Sequence, residues 1–257
     1  MKIALETSSI MPLLEVTPRT FPLQQNLKSI IQNNDIQFFT DRYSIKEASQ
    51  QITTSFENAI KSLEKAIKTA DMTNTHDTKI LSVIFIKSLC ENWYGREETL
   101  RWADVIIDNR FYDIKNYNDF FTIIKENLLR KKDKYTSFLQ INDGAISIDC
   151  KEIQSYWVNP PFIKELKFDI KVIDNKTPLE EFFKKIQSDI NSSFLGNTKI
   201  NDIVDIYHLY SIYNDGKINE IWSCNQLFVK RHKKYLSSVD EFKNLFDESL
   251  VKIKRIK

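Results

Sequence analysis

Four places in the chain set acidic and polar side chains where they could do chemistry. Glu6 ends the short apolar run Lys2-Ile3-Ala4-Leu5, with Thr7 and Ser8 directly behind it. Glu47 follows a second apolar run in Thr40-Asp41-Arg42-Tyr43-Ser44-Ile45-Lys46-Glu47. Asp205 and His208 stand together in Asp205-Ile206-Tyr207-His208, with Asp202 one helical turn before Asp205. Ser223-Cys224-Asn225 closes a late apolar run. Carboxylates that converge can hold Mg²⁺ or Mn²⁺. Such a metal lowers the pKa of bound water and neutralises charge on phosphoryl oxygens, which is the chemistry of phosphodiester hydrolysis. Lys or Arg beside the acids would position a nucleic-acid backbone. The candidates are Arg42 and the run Lys230-Arg231-His232-Lys233-Lys234.

Positioning these groups requires strands that end at one edge of a sheet. Residues 2–6 read as a strand at the start of the chain, central and buried, with its acid at the mouth of the sheet where open α/β folds place ligands. Residues 24–33 have helical spacing, and Ile36-Gln37-Phe38-Phe39 reads as a second strand. Thr40 or Asp41 can cap a helix running to about residue 70. Residues 77–130 predict two to four helices, with bulk from Trp93, Trp102, Phe111, Phe120 and Phe121. Asp143-Gly144 predicts a turn before an alternating stretch, and Leu166 to Val172 alternates again with the period of a strand. Helices follow over 178–192 and 199–214, and Ile218 to Ser223 reads as a buried strand. An amphipathic helix carries Phe242, Leu245 and Phe246, and Val251 to Ile256 alternates as a last edge strand. Strands at both ends with helices between predict an α/β/α layout with a mainly parallel sheet. Residues 66–196 then read as a mostly helical insertion in a single domain whose core comes from 1–65 and 197–257.

The bulk properties narrow the function classes. At 257 residues, with 42% apolar and 12% aromatic residues, the chain can build a sizeable core. A net charge of +2 confines any nucleic-acid binding to local patches. Only four glycines are present, Gly95, Gly144, Gly196 and Gly216, and none builds a P-loop or a dinucleotide-binding turn. Cys90, Cys150 and Cys224 lie far apart, without a CxxC pair, which predicts reduced thiols in a cytoplasm. The opening residues do not read as a signal peptide, and no stretch approaches the roughly 20 apolar residues of a membrane span.

The order and placement of the acids resemble the PIN-domain family of metal-dependent ribonucleases. That family opens with a hydrophobic strand ending in Asp-Thr-Asn or Asp-Thr-Ser, matched here by Glu6-Thr7-Ser8, and Met11-Pro12-Leu13-Leu14 follows as the family often shows. A helix after the second strand bears a Glu, matched by Glu47. A later helix carries Asp-x-x-His-Leu, matched by Asp205, His208 and Leu209. The next strand ends in Thr-x-Asp with an aromatic three residues on, matched by Ser223-Cys224-Asn225 and Phe228. The closing segment Leu236-Ser237-Ser238-Val239-Asp240-Glu241-Phe242 is similar as well. The match covers roughly 1–65 and 197–257.

The resemblance implies a three-layer α/β/α PIN-like fold and a metal-dependent endoribonuclease. Glu6, Glu47 and Asp205 would be catalytic metal ligands, with Asn225 as a weakened fourth ligand. Ser8, Asp202 and Ser223 would support them, and Arg42, Lys230, Arg231, Lys233 and Lys234 would bind RNA. It implies Mg²⁺ or Mn²⁺, RNA as partner, a protein partner such as an antitoxin, no membrane, and a cytoplasmic location. Two departures favour an alternative. Glu6 replaces an Asp and is one methylene longer, and Mg²⁺ tolerates distorted geometry poorly. Asn225 replaces the fourth acid with a neutral carbonyl. The alternative is a catalytically inactive PIN-like module that binds RNA or a protein. Each residue also has a plainer role open to it: Asn225 as a helix cap, His208 as a packing residue, and Lys230–Lys234 as a solvated face.

Overall fold

The computed structural model of the protein describes residues 1–14, 35–92, 114–150, 166–190, 200–226, 228–229 and 251–255. Lys2–Leu5 forms strand β1 and Thr7–Leu13 helix α1. Gln37–Asp41 forms β2, and Arg42–Met72 forms the long helix α2. Thr78–Asn92 is α3 and Tyr117–Ser137 is α4. Ala145–Cys150 and Leu166–Ile173 are β3 and β4. Leu179–Ile190 is α5, and Ile200–Tyr210 is α6. Glu220–Ser223 and Lys252–Arg255 are β5 and β6.

The six strands form one sheet in the order β3-β4-β2-β1-β5-β6. Among the described strands only β3 runs antiparallel, against β4, and every other neighbouring pair is parallel. The parallel strands, counted along the chain, therefore lie in the order third, second, first, fourth, fifth. The order reverses beside β1. Folds of this kind bind ligands outside the carboxyl ends of the strands at such a reversal.

Alternation along each strand sends side chains to two faces. Ile3 and Leu5 enter one hydrophobic cluster, and Ala4 between them enters the other. Trp222 and its neighbour Ile221 divide in the same way. Ile146, Ile170, Phe38 and Ile3 are register partners across β3, β4, β2 and β1, and all belong to the first cluster. Helices α1, α2, α3 and α4 cover that face with residues such as Ile10, Phe56, Phe85 and Phe120. The opposite face is covered by α5 and α6 through Phe182, Ile186, Ile206 and Leu209. The three-layer α/β/α arrangement follows from these two burials.

The middle of the chain differs from the expected helical insertion. Residues 66–196 supply β3 and β4, and β4 pairs directly with β2 inside the sheet. The alternation of Leu166–Val172 marked a strand, but a strand at that distance carries no local sign of its neighbour. The helix expected over 199–214 also divides, because after α6 the residues Ser211–Asp215 widen into a π-helical turn. Leu81 to Ile86 is helical as expected, with Leu81 and Phe85 buried and Val83 66% exposed. The helix expected over 24–33, the aromatics Trp93, Trp102 and Phe111, and the helix with Phe242 lie outside the described residues. Among the described residues no helix is long and apolar enough to cross a membrane.

Candidate functional site

The carboxyl ends of β1, β2 and β5 meet where the strand order reverses. Glu6 is the residue after β1 and is 5% exposed. Its Oε2 accepts hydrogen bonds from the hydroxyls of Ser8 and of Ser223, the latter at 2.9 Å. Ser8 also accepts the Cys224 N–H at 3.0 Å, and Ser223 accepts the Asn225 N–H at 3.0 Å. The two supporting serines expected from sequence thus tie the first acid to the end of β5. Burial pushes the Glu6 carboxyl above its ordinary value, against the hydrogen bonds from Ser8 and Ser223 and the charge of His208.

Asp41 ends β2 and caps α2. Its Oδ1 accepts the N–H groups of Tyr43 at 2.8 Å and Ser44 at 3.1 Å, the usual role of Asp at this position. Its Oδ2 accepts the Ser44 hydroxyl at 2.7 Å. The His208 Nδ1 lies 3.0 Å from that same oxygen. Asp41, Ser44 and His208 are all fully buried. Burial alone would raise the Asp41 carboxyl, but the charge and hydrogen bond of His208, with the Ser44 bonds, hold it below its ordinary value. Burial likewise disfavours the imidazolium of His208. The charge and hydrogen bond of Asp41, and then the charges of Glu47 and Glu6, outweigh it and push the pKa up to about 9.

Glu47 sits on α2, between one and two turns past the cap, with 37% of its side chain exposed. Its Oε2 turns inward, accepting the Thr7 hydroxyl at 2.6 Å and lying 3.7 Å from the His208 Nε2. Its Oε1 accepts the Gln51 amide at 3.4 Å on the exposed side. Glu6 and Glu47 therefore reach the same end of the sheet, linked through the adjacent residues Thr7 and Ser8. Both also act electrostatically on His208.

The remaining expected residues divide. Asp205 is half-buried on α6, one turn before His208. Asp202 is on the same helix, with its side chain outside the described part. Asn225 is exposed, and its Oδ1 accepts the Phe228 N–H at 3.3 Å, which is the capping role. Arg42 forms an exposed ion pair with Asp174 at 2.8 Å, and its Nε donates to the same carboxylate at 2.9 Å. Lys230, Arg231, Lys233 and Lys234 lie outside the described residues. The sequence offered Asp41, or Thr40, only as a cap, and gave Thr7 and Ser44 no role of their own. The Asp41 cap and the His208 three residues after Asp205 were visible signals, but nothing local joined them.

The acids offer oxygen donors, the kind that Mg²⁺ and Mn²⁺ take. Among the described residues, however, no three His, Cys, Asp or Glu side chains are gathered so as to hold a metal ion. Comparison with family models, curated proteins and solved structures finds no match to this chain.

Proposed function

We propose that the protein is a PIN-like, metal-dependent endoribonuclease acting at the mouth of its sheet. The supporting observation is the convergence of Glu6 and Glu47 where the strand order reverses. Glu6 follows the central strand, and Glu47 reaches it from α2 through Thr7. Glu6, Glu47 and Asp205 are the residues that would hold Mg²⁺ or Mn²⁺. The bound metal would activate water and neutralise the phosphoryl oxygens. The chain's own part is to desolvate Glu6, to hold it with Ser8 and Ser223, and to present the outer oxygen of Glu47.

A second reading is favoured by a specific feature. The raised pKa of His208 favours a cationic ring among the acids, and among the described residues no three ligands are gathered around a metal position. On that reading the protein is a catalytically inactive PIN-like module that binds RNA or a protein partner. The test is cleavage of a panel of single-stranded and structured RNAs with Mn²⁺ or Mg²⁺, for wild type and Asp205→Ala. Metal-dependent cleavage that disappears in the variant is the expected result. Intact RNA under every metal condition would move the assignment to the binding module.

A further inference from the structure

His208 is connected on one side only. Its Nδ1 faces Asp41 Oδ2 at 3.0 Å and Asp41 Oδ1 at 3.1 Å. Its Nε2 is buried and makes no hydrogen bond among the described residues, yet it lies 3.7 Å from Glu47 Oε2. The ring is wedged against Tyr43, with centroids 5.4 Å apart, and has no solvent face of its own. A buried polar nitrogen left without a hydrogen bond is costly. Here it lies toward Glu47, whose side chain is 37% exposed.

The two oxygens of Glu47 are not equivalent. Thr7 and His208 lie on the side of Oε2, while Oε1 stands outward beside Gln51. Glutamate has three rotatable side-chain bonds, and an acid on a helix surface ordinarily samples many rotamers. A carboxylate clamped by its inner oxygen presents the other in one direction. Groups that hold a ligating carboxylate from behind affect metal affinity strongly, by about 10–100-fold when mutated.

We propose that His208, anchored by Asp41, is a positioning residue that orients the Glu47 carboxylate so that its outer oxygen faces the ligand. The chain of contacts runs from the end of β2 through α6 to α2 and ties the site to the sheet. His208 is too buried to touch a ligand itself and acts through Glu47. The positioning stands on this geometry alone, and its consequence for a metal rests on the nuclease reading above.

The experiment uses the full chain labelled with ¹⁵N and observes the ring N–H groups of His208 by NMR. A slowly exchanging Nε2–H resonance that shifts in Glu47→Gln is expected. An Nε2–H that is missing, or that does not respond to Glu47→Gln, overturns the proposal. Binding of Mn²⁺ alone, followed by electron paramagnetic resonance, supplies the second arm. The Asn of His208→Asn keeps a donor toward Asp41 and loses the reach to Glu47, whereas the Gln of His208→Gln keeps a donor at the Nε2 position. We expect His208→Asn to weaken Mn²⁺ binding about tenfold or more, with His208→Gln closer to wild type. Equal Mn²⁺ affinity in wild type and both variants counts against the positioning role. A wild-type chain that binds no Mn²⁺ while its Nε2–H still responds to Glu47→Gln would remove the metal reading and leave the positioning intact.

Discussion

His208 is the residue on which the electrostatics of the site turn. Its folded pKa, about 9, lies above the ordinary histidine value of 6.5. Folding therefore favours the protonated ring. The stabilisation is fully present below about pH 6.5 and is lost as pH rises through about 9. Asp41 moves the other way, so its contribution is present above its ordinary value of 3.8 and is lost on acidification below it. Glu6 opposes Asp41 in acid, because its raised pKa favours folding with the carboxyl protonated. Glu6 and His208 both lose stabilisation as pH rises, so removing the ring separates its share of the alkaline limb. Urea unfolding of the wild type should show stability falling between about pH 6.5 and pH 9, and His208→Gln should flatten that slope. A wild-type profile already flat over this range would mean that His208 is not a buried imidazolium. At this scale the sequence exposed the acids and concealed their partners. Glu6, Ser8 and Ser223 were legible because each sits at the end of an apolar run. Asp41 and Ser44 read as the start of a helix, and that role is real, but it hid their second role beneath His208.

At the scale of elements, the turn between α6 and β5 controls where His208 sits. Ser211–Asp215 widens the end of the helix, and Gly216 closes it by donating its N–H to the Ser211 carbonyl at 3.0 Å. Asn175, in the loop after β4, donates to the Ser211 hydroxyl at 2.7 Å, and its Oδ1 accepts the Arg42 N–H at 3.3 Å. The same loop thereby joins the start of α2 to the end of α6, the two helices that carry Glu47 and His208. Gly216 has an ordinary φ of −87°, so its need for glycine is spatial. A Cβ there would meet the Ile173 Cδ1 at 2.5 Å and the Ile212 carbonyl oxygen at 2.8 Å. The second neighbour is backbone and cannot swing aside. Gly216→Ala should cost about 1–3 kcal/mol in chemical denaturation, the range of overpacking in a dense core. An unchanged midpoint would show that the turn has room to move. The helix over 199–214 was legible, whereas the widening at its end lies against β4, a neighbour that helical periodicity does not carry.

Across the whole molecule, one sheet separates two hydrophobic clusters. Phe56 of α2 is fully buried in the first, and Phe182 of α5 is fully buried in the second. Ala4 and Leu5 are adjacent in β1 and contribute to different clusters, so the central strand joins both. Phe56→Ala and Phe182→Ala should each lower stability by about 3–5 kcal/mol, in one shared unfolding transition. Two separable transitions, one sensitive to each substitution, would divide the protein into independent units. The charged strand β6 lies at one end of the sheet order, with Lys252, Lys254 and Arg255 along it, and Lys254 rests over the Trp222 ring at 4.9 Å. Charges on a terminal strand disfavour pairing with another chain.

Short-range signals in the amino-acid sequence set the local grammar of this protein. A short apolar run marked β1, alternation marked β3, β4 and β6, a cap at Thr40 or Asp41 marked the start of α2, and acids at the ends of apolar runs marked the edge where a site would form. These signals need only a few neighbouring residues, because strand period, helix period and capping are short-range properties. The tertiary structure alone decided that β4 lies beside β2, that residues 66–196 help build the sheet, and that His208 meets Asp41 across a separation of 167 residues. An apolar face specifies that a strand or helix must be buried without specifying against what. Which carboxylate lies behind which ring is settled only when all the faces are buried together.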